Sequence, residues 1–169
     1  MKRFSSRAGV VVSALAVSIA MAGTAVATPP SGILSGRVVA RGSFADPVDV
    51  KFKVKDGREE VTQVKRAGET VMQEIVVAPG GQTGWHSHHG PAVVLVTSGS
   101  LTIYSSEDPS CGGRTYVAGQ AFVDPGQGHT HIAFNHDASE NTVLWVTYFD
   151  VPAGAPFRLD AADPGLCSF

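Results

Sequence analysis

The pattern of apolar and polar positions changes character near residue 28. Before it, residues 8–22 form an almost unbroken run of small and apolar side chains. After it, the periodicity is that of strands. Val50, Phe52 and Val54 alternate with Lys51, Lys53 and Lys55, which predicts a strand with one half-buried face and one wet, basic face. Asp56-Gly57 reads as a turn. Residues 70–77 (TVMQEIVV) predict another strand, stopped by Pro79-Gly80-Gly81. Residues 92–96 and 100–104 predict two strands about a Ser98-Gly99 turn, and 114–117, 120–123 and 130–134 predict shorter ones. Residues 142–149 (TVLWVTYF), rich in β-branched and aromatic types, carry the strongest strand signal. The stretch 28–36 (TPPSGILSG) reads as a turn-rich lead-in, and the tail beyond Pro152 as loop. No long amphipathic helix follows residue 28. Short strands punctuated by glycine and proline predict an all-β sandwich or barrel.

The apolar run at the start changes the arithmetic. It follows a basic MKRFSSR and precedes Ala25-Val26-Ala27, the small-x-small pattern that a signal peptidase accepts. Residues 1–27 are therefore expected to be a secretory signal peptide, leaving residues 28–169 as a single domain with its barrel core at about 48–151. The run is too short for a membrane anchor, so no membrane association is expected after cleavage. Loss of Lys2, Arg3 and Arg7 takes the formal charge from −2 to −5. That balance speaks against nucleic-acid binding. The composition, 43% hydrophobic and 17% charged, excludes both a coiled coil and simple disorder.

Two cysteines, Cys111 and Cys167, survive cleavage. They are too few for a four-cysteine zinc site, and neither sits in a Cys-x-x-Cys pair. An oxidising compartment permits a structural disulfide between them, tying the tail to a mid-chain loop. Two free thiols, or pairing between molecules, are the alternatives.

The candidate chemistry lies in six histidines, none before residue 86. Three fall in GWHSHHG (His86, His88, His89) and two in GHTHIAFN (His129, His131), with His136 just beyond. Alternate residues of an extended strand share a face, so His86 and His88 can point at one interior spot while His89 turns away. A third imidazole, His131, arriving from a distant strand would complete a three-nitrogen site. His129 is a further candidate ligand. No nucleophile elbow, phosphate loop or H-E-x-x-H helix is present.

These residues sit in an order that resembles the cupin superfamily. Gly80, then His86 and His88 after five residues, and Gly99 match its first motif. Gly119, Pro125, Gly128, His131 and Asn135 match its second, with one extra residue between Pro125 and Gly128. The match spans residues 80–135. The resemblance implies a jelly-roll β-barrel, a double-stranded β-helix, holding one divalent metal ion (zinc, manganese, iron or copper) on His86, His88 and His131. It also implies pairing of two barrels through an edge strand, a homodimer.

One departure matters. Where that family places a glutamate ligand, this chain has Ala92. A shell of three neutral imidazoles holds an ion less tightly, leaves it a stronger Lewis acid, and keeps a coordination position for water or ligand. His129, Gln82 and Glu74 are candidates to replace the glutamate. Asp124 reads as a turn residue or as an acceptor for a histidine N–H, Asn135 as a turn brace, Arg114 as an anion clamp or a solvated cation, and Tyr104 and Tyr148 as packing or as acid groups. The expected function is a secreted, metal-binding, cupin-like protein, an enzyme acting on a small oxygenated molecule. A non-catalytic binder of a small-molecule ligand, or a structural barrel with a degenerate site, is the alternative.

Overall fold

The computed structural model describes residues 26–56 and 58–169, with the side chains of 56–59 left aside; the expected export signal lies almost wholly outside these residues. In chain order the strands are β1 (Ser31–Ser43), β2 (Val50–Asp56), β3 (Arg58–Val64), β4 (Glu69–Gln82), β5 (His86–Ser87), β6 (Ala92–Ser98), β7 (Ser100–Ser105), β8 (Arg114–Val117), β9 (Ala121–Asp124), β10 (His131–Phe134), β11 (Thr142–Val151) and β12 (Leu159–Asp160). No helix among the described residues is long and apolar enough to cross a membrane.

Ten strands form one continuous antiparallel sheet that folds over on itself. One half runs β1-β4-β11-β6-β9 and the other β12-β5-β10-β7-β8. The halves join where the end of β4 meets β10, at Gln82 opposite Phe134. Backbone bonds from Gly80 to Asn135 and from Thr83 to Ala133 extend that seam. The result is a nearly closed, all-β barrel of the jelly-roll kind. β2 and β3 pair only with each other, as a hairpin beside it.

The strand pattern explains the core. Along β11, Thr142, Leu144, Val146 and Tyr148 are buried while the residues between them are less so. Val94 and Val96 of β6, Val71 of β4, Leu101 of β7 and Ala133 of β10 meet them from the other strands. Each fully buried Val or Leu of this set contributes roughly 1.5–3 kcal/mol. The predicted alternation at Val50, Phe52 and Val54 is present, with the intervening lysines exposed.

Both ends of the chain depart from the sequence-based expectation. The lead-in is not a turn region: residues 31–43 form the long strand β1, paired with β4 along its length. Most of β1 is exposed, so backbone pairing, and not an apolar stripe, holds it in place. The tail is not simply loop. β12 pairs with β5, placing Asp160 opposite His86. The barrel thus draws on residues outside 48–151, and the 50–64 hairpin within that range is peripheral to it. Cys111 and Cys167 are bridged, with Cα atoms 5.7 Å apart.

Candidate metal centre

The site begins with two strands and a glycine. His86 on β5 and His131 on β10 are direct antiparallel partners, which sets their rings 4.3 Å apart. His88 follows two residues after His86, its ring 5.0 Å from His86 and 5.4 Å from His131. Gly84, just before β5, has φ +70°, and a Cβ there would lie 2.2 Å from the Thr28 carbonyl oxygen. Only glycine fits this close approach. The Gly84 carbonyl accepts a hydrogen bond from Nδ1 of His86 at 2.8 Å.

That bond decides a tautomer. A carbonyl oxygen can only accept, so Nδ1 carries the hydrogen and Nε2 keeps its lone pair. His88 is held in the same way, its Nδ1 donating to the Phe157 carbonyl at 2.8 Å. Nδ1 of His131 lies 3.0 Å from Oδ2 of Asp124, although the ring N–H is not aimed at that oxygen. The contact is therefore a close electrostatic one and not an aligned hydrogen bond. In His86 and His88, whose Nδ1 is engaged by a carbonyl, Nε2 is the nitrogen left for a ligand. The three residues are buried, and one ring nitrogen from each lies within 4.8 Å of the others.

Electrostatics favour the ligand form. Burial, reinforced by His131, holds His86 well below the usual histidine range; the same causes bring His88 down to about 4. Both are neutral at neutral pH, as coordination requires. Burial works against the charge of Asp124, but His131 and a hydrogen bond from His129 outweigh it, keeping the carboxyl well below its ordinary range. Asp124 also accepts from Gly126 N through Oδ1, so it serves both as a turn residue and as the partner of histidines. The donor set suits a divalent ion: three ring nitrogens, two of them on imidazoles tethered through the other nitrogen, with a buried carboxylate beside them.

His129 joins a different group. Its Nδ1 donates to Asp124 Oδ2 at 3.0 Å and its Nε2 pairs with Ser105 Oγ at 3.0 Å, so it clusters with Asp124 and His131 and not with His86 and His88. Burial lowers its pKa, yet the Asp124 bond prevails and the net shift is upward. Glu74 faces outward in an ion pair with Arg37, while its neighbours Gln73 and Ile75 line an interior cavity. Gln82 braces the loop, accepting from Gly84 N and donating to Pro29 O. Neither approaches the histidines. Ala92 is fully buried opposite Tyr148 on β11, so position 92 shares the face that carries Tyr148 toward His88, 4.9 Å between rings.

The other candidates are structural. Asn135 is fully buried and donates to the carbonyls of Val77, Ala78 and Glu140. Tyr104 bonds His136, and Arg114 lies over the Tyr116 ring. His89 is apart from the triad. The extra residue of the second motif is absorbed by a left-handed run, Gly126, Gln127 and Gly128, in which Gln127 reaches back to Gln63 O on β3.

A cavity of about 270 Å³ opens on His86 and His88. Its walls include Ile33 from β1, Ile75 from β4, Tyr148 from β11, and Phe157 and Arg158 from the tail. Sequence reasoning placed neither end of the chain at the site. Nothing in either segment signals it, because their role is set by pairing with β4 and β5.

No protein-family model and no curated protein matches the chain. Solved structures do resemble it in part. An oxalate oxidase is 28% identical with TM-score 0.41, over 48% of this chain and 41% of that one, so the likeness spans less than half of the oxidase. The cupin_2 domain of an XRE-family transcriptional regulator from Enterobacter cloacae is 20% identical with TM-score 0.40, over 49% and 82%. The polyketide cyclase RemF from Streptomyces resistomycificus is 22% identical with TM-score 0.44, over 54% and 60%. Strand pairing and side-chain geometry define the site independently of these overlays. The chain is a nearly closed, jelly-roll β-barrel, and its likeness to these proteins covers about half of its length.

Proposed function

We propose that this chain is an exported, metal-dependent cupin-like enzyme that holds one divalent ion on His86, His88 and His131 and acts on a small oxygenated molecule. The observation that carries this is the convergence of three buried imidazoles, two of them tethered through Nδ1 to backbone carbonyls, beside an internal cavity. A bound ion supplies Lewis acidity, strengthened by a shell without a carboxylate. The chain's own residues would do the rest. His86 and His88 present lone pairs into the cavity. Asp124 sets the His131 ring. Ile33, Ile75 and Phe157 restrict water.

Export is supported by the amino-terminal sequence and is consistent with the Cys111–Cys167 bridge. Zinc, iron and copper suit imidazole donors, and manganese, which favours oxygen donors, would depend more on water or ligand at the open positions. A homodimer through the exposed edge of β1 belongs to the same proposal.

The test is elemental analysis of purified protein after reconstitution with each of these metals. One ion per chain in the wild type, and a loss of it in His86→Ala and His131→Ala, is expected. A wild type that retains no ion under any condition refutes the reading. A turnover screen of the loaded protein then separates enzyme from binder.

A further inference from the structure

The cavity beside the histidines has a cation in its wall and no acid. Arg158 lines it together with His86, His88, Gln73, Tyr148 and Thr83, and no Asp or Glu does so among the described residues. Nε of Arg158 donates to Oδ1 of Asp160 at 2.7 Å, outside the cavity, where Asp160 is largely exposed. Nη2 is buried and has no hydrogen-bond partner. A guanidinium nitrogen covered by protein without an acceptor is costly, because burial removes its water and nothing replaces it. Its charge also reaches the site, disfavouring protonation of His86 and His88.

The apolar walls restrict what can balance that charge. Pro30, Ile33, Ile75, Pro156 and Phe157 surround the remaining space. Tyr148 does not compete for an anion, since its hydroxyl already donates to Gln73 Oε1. A divalent ion on the histidines would add a second positive centre to a cavity with no negative side chain.

We infer that the ligand of this cavity is a small monocarboxylate with an apolar body, its carboxylate paired with the guanidinium of Arg158 and its body against Ile33, Ile75 and Phe157. The planar guanidinium suits carboxylate recognition better than an ammonium would. Arg158 is then a specificity-determining residue supplied by the tail, beside β12. The inference deepens the metal-site reading and rests on it for the second positive centre, but the Arg158 contact is testable with or without an ion.

The experiment is calorimetric titration of the metal-loaded and the metal-free full-length mature protein. The probes are 4-methylpentanoate and its primary amide, which has nearly the same shape and no charge. Wild type is expected to bind the carboxylate at least tenfold more tightly than the amide. Arg158→Met should abolish that preference with metal content unchanged, and Arg158→Lys should keep part of it. Thermal unfolding of both variants verifies folding. Equal affinity for acid and amide in the wild type, no binding of either, or an undiminished preference in folded Arg158→Met each overturns the inference. If the protein takes up no metal yet shows the Arg158-dependent preference, the metal reading fails and the carboxylate site stands. If metal binds at one per chain without that preference, the reverse holds.

Discussion

His86 and His131 face each other directly across β5 and β10, their rings 4.3 Å apart. Each is then fixed by a different neighbour, His86 by the Gly84 carbonyl and His131 by the Asp124 carboxylate. The register of one short strand pair therefore determines whether a metal site exists.

Asp124 is predicted to act through His131. Replacing it with Asn keeps the shape and removes the charge that favours a bound, oriented imidazole. Metal affinity should fall about 10–100-fold, as for other carboxylates behind a ligating histidine. Competition with a chelator of known affinity measures it; an unchanged affinity would separate Asp124 from the site.

The metal-free protein should lose stability on acidification. His88 has a folded pKa of about 4 against an ordinary 6.5, and His86 is also depressed. The unfolded chain binds protons first, so the stabilisation is complete above pH 6.5 and declines as pH falls toward 4. The His88 contribution is at most about 3.5 kcal/mol. His129, with a raised pKa, acts in the opposite sense: its contribution is full below pH 6.5 and is lost as pH rises through its folded value. Denaturant unfolding at several pH values should show a shallower acid slope in His88→Gln, and in His129→Gln a loss of the decline in stability that the wild type shows as pH rises above 6.5.

The disulfide should matter for stability and not for chemistry. It closes a separation of 56 residues, for which the chain-entropy model allows about 4 kcal/mol. The Cys111→Ser, Cys167→Ser double variant should unfold at lower denaturant by about 2–4 kcal/mol, yet still bind metal, because no histidine contact depends on Cys167.

Gly126→Ala should be among the most damaging single substitutions. The residue has φ +63°, and an added Cβ would lie 1.9 Å from the Gly90 carbonyl oxygen. The loop carrying Asp124 and His129 and the loop following His88 press together here. A loss above about 2 kcal/mol is expected, measured by denaturation, with weakened metal binding as the loops separate.

Export predicts a defined amino terminus. Protein recovered outside the expressing cell should begin at Thr28, by mass spectrometry of the intact chain. Thr28 N donates to Ala161 O, so a start at this residue keeps the bond between the two ends of the chain. Retention of residues 1–27 in recovered protein would contradict a cleaved leader.

The sequence by itself determined the all-β class, the strong strands and the three imidazoles. Alternation at Val50, Phe52 and Val54, and the β-branched run at 142–149, follow from side-chain period and propensity, which are local properties. The H-x-H spacing of His86 and His88 is local too. Which face of β4 turns inward was not legible, because Glu74 and its neighbours Gln73 and Ile75 carry no decisive pattern; only the closing of the sheet over the cavity, with Gln73 and Ile75 in its wall and Glu74 paired with Arg37 outside, settled it. The exposed strand β1 and the tail were equally silent. Their backbone groups are satisfied by strands far away in the chain, and backbone pairing leaves no imprint on side-chain type. Tertiary structure alone brought Phe157 to His88 and put the Arg158 charge in the cavity wall, since those contacts exist only once the barrel has closed.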